Sequence, residues 1–270
     1  MIVHPNAKLN IGLDVMRKRP DGYHDLESLF VPCPALTDVL EMVEAPKFGI
    51  EIIREGRVMD GSAQGDWDPM KDLTVQAYRL LKKECDIPPV RIRLEKRIPV
   101  GAGLGGGSAD AAFALRALSE MFDLYLPDEM LEIYAAGLGS DCPFFIYNSP
   151  MFVTGRGDVL EPFDMPALDG FDIKVEIPEG VSVSTREAYA GIVPRNLLST
   201  SIAGERMPLR EALLMPVDRW KEFVSNDFEK TVFSLYPEIA ALKESMYVRG
   251  AVYASMSGSG SSVFGLFPKA

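Results

Sequence analysis

The chain has 270 residues, 47% of them hydrophobic and 25% charged, so it can bury one large core or two ordinary ones. Its formal net charge of -11 argues against nucleic acid or an anionic membrane as a partner, and no apolar run reaches membrane-spanning length. The three cysteines, Cys33, Cys85 and Cys142, are scattered without metal-ligand spacing. We therefore predict reduced thiols in a soluble, cytoplasmic protein.

Strand patterns dominate the first third of the chain. Apolar residues alternate with polar or small ones over 9–15, which predicts a half-buried strand with Lys8 and Asn10 on its polar face. Similar alternation predicts strands over 38–42 and 49–54.

The middle of the chain predicts amphipathic helices separated by a strand. Each helix has apolar residues at spacings of three and four, whereas the strand alternates apolar with charged residues. The predicted helices cover 72–83, 111–122 and a segment from Pro127 to Gly137 or Gly139, and the strand covers 90–95.

Residues 148–166 are rich in Gly, Pro and Asp, and we place a domain boundary there, dividing 1–155 from 156–270. The patterns beyond it predict a strand over 171–177, helices over 219–234 and 237–248, and a hairpin of 251–256 with 263–267 around the turn 257–262. Strands and helices mix in both halves, so the predicted class is α+β.

Five glycines fall within 101–107, directly before a helical pattern. Glycine permits positive φ and close approach of a ligand, and the start of a helix offers unpaired N–H groups, so the segment predicts a phosphate cradle. A plain flexible loop is the alternative. Gly101, Gly103 and Gly106 also fit the dinucleotide pattern G-x-G-x-x-G, but the preceding strand carries charged residues, and the Gly-Lys-Ser/Thr of a Walker loop does not follow.

Three ordered segments are similar to motifs of the GHMP small-molecule kinases: Pro5–Asn10, Pro99–Ala112 and Ser257–Phe264. Within that family, Asp21–His24 and Gly139–Phe144 resemble the branch that phosphorylates 4-diphosphocytidyl-2-C-methyl-D-erythritol in the non-mevalonate route to isoprenoids. The resemblance covers nearly the whole chain. It implies a two-domain α+β kinase, with an N-terminal ATP-binding domain and a ferredoxin-like C-terminal domain.

The resemblance also implies a reaction that uses ATP and Mg2+. A phosphoryl group would pass directly to the C2 hydroxyl of the erythritol part, without a phosphoenzyme. Asp141 would take or orient the hydroxyl proton, while Lys8 would keep that carboxylate ionised and stabilise developing negative charge. From residue type alone, the alternatives are a solvated lysine and a helix-capping aspartate.

By the same resemblance, backbone N–H groups of the glycine-rich segment would hold the ATP phosphates. Ser108 at the helix start could cap the helix, contact a phosphate or reach Mg2+. Lys96 matches a position near the nucleotide, and its alternative is a solvated lysine at a strand end. The candidate ATP-binding residues are Lys96, Pro99, Val100, Gly101, Ala102, Gly103, Leu104, Gly105, Gly106, Gly107, Ser108 and Ala109.

Cytosine offers a flat face and an edge with donors and acceptors, which aromatic rings and an imidazole can meet. The resemblance implies a base held between Tyr23 and Tyr189. The turn at Ser257 would meet substrate phosphate, and its alternative is a simple hairpin tip. The candidate substrate-binding residues are Asn10, Tyr23, His24, Thr185, Tyr189, Ser257 and Gly258.

Two other functions stay open. Another GHMP kinase could act on mevalonate, homoserine or a sugar, although a small aliphatic substrate would not need Tyr23, His24 and Tyr189. A non-catalytic nucleotide-binding protein could keep the cradle and lose turnover, although the presence of Lys8 and Asp141 argues against it.

The sequence ends at Ala270, directly after the last predicted strand, whereas GHMP kinases usually continue with a further helix and strand. We therefore expect a C-terminal domain that is truncated and has an exposed sheet edge. Such an edge favours lower stability or self-association, so we expect a monomer or a weak homodimer.

Overall fold

The computed structural model describes residues 1–59, 68–197 and 207–269. The chain forms two compact units, of which unit 1 comprises Met1–Ala7, Cys33–Val100 and Gly105–Asn148, and unit 2 comprises Lys8–Pro32, Gly101–Leu104 and Ser149–Ala270. The predicted α+β class is confirmed, whereas the boundary between residues 155 and 156 stays a prediction. Within the described ranges, no helix is long and apolar enough to cross a membrane.

The strands, in chain order, are β1 (Ile2–Val3), β2 (Asn6–Lys18), β3 (His24–Thr37), β4 (Val39–Glu44), β5 (Gly49–Arg54), β6 (Arg57–Met59), β7 (Val90–Lys96), β8 (Met151–Thr154), β9 (Val159–Pro162), β10 (Phe171–Glu176), β11 (Tyr253–Met256) and β12 (Val263–Pro268). The α-helices of the described ranges are α1 (Leu73–Cys85), α2 (Gly106–Met121), α3 (Asp128–Ala136), α4 (Cys142–Tyr147), α5 (Thr185–Ala190), α6 (Leu209–Ala212), α7 (Trp220–Phe223), α8 (Phe228–Leu235) and α9 (Pro237–Val248).

Unit 1 contains a mixed sheet with the strand order β1-β4-β7-β5-β6, in which β5 and β7 are parallel and the other neighbours antiparallel. The starts of α1 and α3 agree with the sequence prediction, whereas α2 begins five residues before the predicted 111 and α4 was not predicted. The Asp72 carboxylate caps α1 by accepting from the Thr74 backbone N–H at 2.8 Å. Pro127 is the N-cap residue of α3, and Gly137 is its C-cap residue. The apolar face predicted for α2 is buried at Ala111, Leu115 and Leu118.

Unit 2 contains two sheets, with strand orders β2-β3-β8-β9 and β10-β12-β11. The predicted strand over 9–15 is the middle of the longer β2, but it is buried on both faces, so the expectation of a half-buried strand is wrong. The predicted hairpin is the antiparallel pair β11 and β12. Its apolar core includes Leu13 and Val15 of β2 together with Phe228 and Val232 of α8. Ala270, to which the expectation of a truncated domain refers, lies outside the described residues.

Two predicted elements of unit 2 differ from the structure. The Gly- and Pro-rich stretch around 148–166 contains the hairpin β8–β9, and its composition reflects a tight turn in which Gly155 has a φ of +68°. The helical stretch predicted near 219–234 is divided into two helices, α7 and α8. Leu13 pairs with the intervening chain, donating its N–H to the Ser225 carbonyl and accepting from the Asp227 N–H, which holds that chain extended.

Candidate active site

The polar face of β2 carries Lys8 and Asn10, as predicted. Lys8 is only 4% exposed, so the alternative of a solvated surface lysine is wrong. Its ammonium donates to Asn10 Oδ1 at 2.6 Å and lies 4.2 Å from the centroid of the Phe30 ring. The Asn10 amide donates in turn to Ser28 Oγ at 3.1 Å. The strand therefore holds a cation in one fixed position, where burial strengthens its field.

The first half of the glycine-rich loop lies against this strand within unit 2. The Lys8 backbone N–H donates to the Leu104 carbonyl at 2.9 Å. Ser257 Oγ donates to the Gly103 carbonyl at 3.1 Å and accepts from the Asn10 N–H at 3.2 Å, and Ser262 Oγ donates to Ala102 at 2.6 Å. The structure thus brings together the candidates Lys8 and Asn10, the loop and the turn at Ser257.

The serines of this turn are buried, and its backbone packs closely on the glycine-rich loop. Ser257 and Ser262 are both 0% exposed. A methyl group added at Gly103, whose φ is +78°, would lie 2.2 Å from the Ser257 carbonyl oxygen. At Gly258, with φ +55°, an added methyl group would lie 3.2 Å from the Gly103 carbonyl oxygen. Two glycines therefore permit this close approach of two backbones.

The second half of the loop leads into α2 within unit 1. Gly105 is the N-cap residue, with a φ of +71°, and the described residues supply no side-chain cap there. The first N–H groups of a 16-residue helix consequently remain available for an anion. Gly101 and Gly107 are exposed and Gly105 is partly so, which leaves the backbone accessible to a ligand. The local geometry fits the predicted phosphate cradle.

Asp141 belongs to a turn that meets the start of α2. The next residue, Cys142, is fully buried, and its thiol is hydrogen-bonded to the Ser108 hydroxyl. Burial raises the pKa of this thiol to about 11, so it stays protonated. Asp141 is the N-cap residue of α4, but its side chain makes no capping hydrogen bond to the described residues, so the helix-capping alternative is wrong.

The hydrogen bond between Cys142 and Ser108 was not predicted from the sequence, because the scattered cysteines were assigned no role. The only available signal was its position beside Asp141. By binding Ser108, it fixes the turn that carries Asp141 next to the helix that follows the glycine-rich loop.

Lys96 ends β7 and is buried among carboxylates. Its ammonium is hydrogen-bonded to Asp38 and to Asp110. The alternative of a solvated lysine is therefore wrong. Neither aspartate was a candidate in the sequence, because each resembles an ordinary surface carboxylate and Asp38 lies 58 residues from Lys96.

Two of the three aromatic candidates of unit 2, His24 and Tyr189, are in contact. The His24 ring stacks on Tyr189, with centroids 4.7 Å apart and planes at 21°, and Tyr189 meets Phe228 edge-on. Burial, assisted by Lys18, lowers the pKa of His24 and keeps the imidazole neutral at pH 7, with one donor and one acceptor nitrogen.

Tyr23 is 59% exposed and lies under the guanidinium of Arg156, 5.3 Å from it. Thr185 Oγ1 is 3.3 Å from Ser259 Oγ, next to the turn at Ser257. The described residues contain no group of three or more His, Cys, Asp and Glu that could hold a metal ion.

Comparison with known proteins identifies the family. The chain matches the model of the GHMP kinases N-terminal domain over residues 72–149 and that of the GHMP kinases C-terminal domain over 210–270. A Bacteroides fragilis protein named 4-diphosphocytidyl-2-C-methyl-D-erythritol kinase is 48% identical over 269 residues, covering 99% of this chain and 92% of its own length. A Bacteroides thetaiotaomicron protein of the same name is 48% identical over 271 residues, with the same two coverages.

Solved structures agree with this result. A crystal structure titled 4-(cytidine 5'-diphospho)-2C-methyl-D-erythritol kinase matches with a TM-score of 0.77 and 32% identity, over 98% of this chain and 90% of that one. The Methanococcus jannaschii mevalonate kinase shares the fold, with a TM-score of 0.71 at 13% identity over 99% of this chain and 90% of that one. GHMP kinases use ATP. This chain therefore belongs to the GHMP kinase family, within its group of 4-diphosphocytidyl-2-C-methyl-D-erythritol kinases.

Proposed function

We propose that this chain transfers a phosphoryl group from ATP to the C2 hydroxyl of 4-diphosphocytidyl-2-C-methyl-D-erythritol, giving the 2-phosphate and ADP in the synthesis of isoprenoid precursors. The observation that carries the proposal is the 48% identity, along 99% of the chain, to a protein that bears the name of this activity. The glycine-rich loop, the buried Lys8 and the uncapped start of α2 support it as chemistry.

The glycine-rich loop and the start of α2 are proposed to hold the nucleotide. When bound, ATP supplies the phosphoryl group and Mg2+ neutralises part of its charge. Backbone N–H groups from Gly105 to Ser108 would bind phosphate oxygens, whereas that of Ala109 already donates to the Gly105 carbonyl. The positive φ of Gly101 and Gly103 shapes the approach. Ser108 is our candidate for the contact with Mg2+, because its hydroxyl lies in the first turn of α2.

Proton transfer and charge stabilisation are assigned to Asp141 and Lys8. Asp141 accepts the proton of the substrate C2 hydroxyl. The hydroxyl oxygen then forms the new bond to the γ-phosphorus of ATP, while the bond from that phosphorus to the leaving oxygen of ADP breaks. Lys8 stabilises the negative charge that develops in this step. Asn10, which binds the Lys8 ammonium, orients that lysine and lies on the strand face proposed to meet the substrate.

The cytosine is proposed to bind at the aromatic group of unit 2. A neutral His24 can both donate to and accept from a base edge, and Tyr189 and Tyr23 offer ring faces. Because His24 covers a face of Tyr189 in the structure, stacking on that face requires the imidazole to move aside. The turn at Ser257 and Gly258, with Thr185 nearby, is proposed to meet the substrate diphosphate.

Tyr189→Ala should raise the KM for the cytidylyl substrate about tenfold, because stacking of a base on an aromatic ring contributes roughly 1–3 kcal/mol. The KM for ATP should change less than about twofold. Steady-state kinetics with each substrate varied in turn measure both values. The control is Tyr125→Ala, which removes a ring that is 86% exposed. An unchanged KM for the cytidylyl substrate in Tyr189→Ala would contradict the assignment.

The proposed activity is tested by ATP consumption with a panel of acceptors. The panel contains the cytidylyl substrate, mevalonate, homoserine and galactose, and we expect turnover with the first alone. Turnover with only one of the other three would refute the substrate assignment. Absence of turnover with every acceptor would favour the non-catalytic alternative.

We also propose a cytoplasmic location and a monomer or weak homodimer that acts on small molecules. The location is supported by Cys33, Cys85 and Cys142, which are all free thiols.

A further inference from the structure

A buried cluster of three charged side chains lies at the two ends of the glycine-rich loop. Lys96 is the last residue of β7, Asp38 directly precedes β4, and Asp110 lies in the second turn of α2. The Lys96 ammonium is hydrogen-bonded to both carboxylates. The side chains of Lys96, Asp38 and Asp110 are only 9%, 0% and 1% exposed, respectively. We call these three residues the Lys96 cluster.

Asp38 fixes the chain that enters the loop. Its Oδ1 accepts from the backbone N–H groups of Arg97 at 2.5 Å and Ile98 at 2.8 Å, while its Oδ2 binds Lys96. The Asp38 N–H donates in turn to the Pro5 carbonyl at 2.9 Å. One carboxylate therefore holds three consecutive residues before the loop.

Asp110 fixes the helix by which the chain leaves the loop. Its Oδ2 binds the same Lys96 ammonium that Asp38 binds. Ile98 at one end of the loop also packs directly against Gly106 at the other end. A methyl group added at Gly106 would lie only 2.9 Å from Cγ2 of Ile98. The residues between Ile98 and Gly106 thus form a loop whose base is closed by an ion pair and by a packing contact.

The cluster pairs one ammonium with two carboxylates. Asp110 Oδ1 is buried and has no hydrogen-bond partner in the part of the chain that the structure describes. Burial raises the pKa of Asp110, with Asp38 and Asp72 as like charges facing it and Lys96 opposing them. Burial alone would lower the pKa of Lys96, but Asp110 and Asp38 outweigh it and raise that pKa. Removal of the lysine would leave two buried carboxylates without a cation, which is strongly unfavourable.

We propose that Lys96 is a positioning residue for ATP binding, which acts through Asp38 and Asp110 by holding the two ends of the glycine-rich loop at a fixed separation. The inference rests on the proposed binding of ATP by that loop. It differs from the role that the family resemblance gives Lys96, since the ammonium acts on the loop and not on the nucleotide itself.

The kinetic test compares Lys96→Met with the double variant Lys96→Met/Asp110→Asn. We expect Lys96→Met to raise the KM for ATP about tenfold while kcat falls less than about threefold, because a misplaced loop weakens binding. The second substitution removes one uncompensated charge and should recover most of that loss. If Lys96 contacts the nucleotide directly, the double variant recovers nothing, which would overturn the proposal. The control is Lys82→Met, which removes an exposed ammonium paired with Asp86.

A second measurement needs neither nucleotide nor turnover. Hydrogen exchange of the Arg97 and Ile98 amides should be slow in the unsubstituted protein, at least tenfold faster in Lys96→Met, and slowed again in the double variant. Amides of α9 serve as the internal reference, since they report global opening. Equal exchange of Arg97 and Ile98 in all three proteins would overturn the proposal. A protein that turns over no acceptor would refute the proposed function while leaving this exchange result intact.

Discussion

Asp141→Asn should lower kcat by about 10²–10⁴-fold, since a positioned general base contributes a factor of that size. The amide keeps the shape of the carboxylate but does not accept the proton of the acceptor hydroxyl. The KM values for ATP and for the cytidylyl substrate should change less than about threefold, because the proposed role is exerted in the transition state. Steady-state kinetics with both substrates measure the three constants.

A matched control separates this effect from a general loss of charge. Asp128→Asn removes a half-exposed carboxylate that pairs with Arg116 at the start of α3, and it should leave kcat unchanged. The melting temperature of Asp141→Asn is measured beside that of the parent, because a fall in kcat reports the catalytic role only where both proteins are folded. A variant that retains more than about a tenth of the parent kcat would contradict the assignment of Asp141 as the proton acceptor.

Gly103→Ala should destabilise the protein by about 3 kcal/mol and abolish most ATP binding. Its φ of +78° costs an L side chain about 1–2 kcal/mol, and the added methyl group would lie 2.2 Å from the Ser257 carbonyl oxygen. Relief of that overlap requires a backbone shift, which typically costs a further 1–3 kcal/mol or so. Denaturant unfolding measures the free energy, and calorimetric titration with a non-hydrolysable ATP analogue measures the binding.

Gly101→Ala is the matched comparison, because Gly101 has nearly the same φ, +75°, but open space where the methyl group would stand. Both variants therefore carry the same backbone strain, and only Gly103→Ala adds the collision with Ser257. We expect Gly103→Ala to be less stable than Gly101→Ala by at least about 1 kcal/mol. Equal stability of the two variants would show that the turn at Ser257 does not hold the loop closely.

Much of the fold followed from local pattern. The alternation over 9–15 identified β2, and the Asp72 cap and the proline at 127 located the starts of α1 and α3. The helical stretch predicted near 219–234 is interrupted because Leu13, more than 200 residues earlier, pairs with residues 225–227. The hairpin β8–β9 was missed because glycines and prolines mark a tight turn as well as a linker.

The sequence by itself determined the ordered motifs and the family, and it predicted the phosphate cradle, because the conformational freedom of glycine and the start of a helix are local properties of the chain. Only the tertiary structure decided which side chains are buried and what they bind. Lys96 meets Asp38 across 58 residues, and the Asn10 N–H meets Ser257 across 247. From residue type alone, Lys8 and Lys96 both read as solvated lysines, whereas the folded chain buries both side chains. Lys8 donates to Asn10 on its own strand, and Lys96 pairs with the distant Asp38. Contacts between residues so far apart in the sequence depend on how the strands and turns pack together. The local spacing of residue types does not predict that packing.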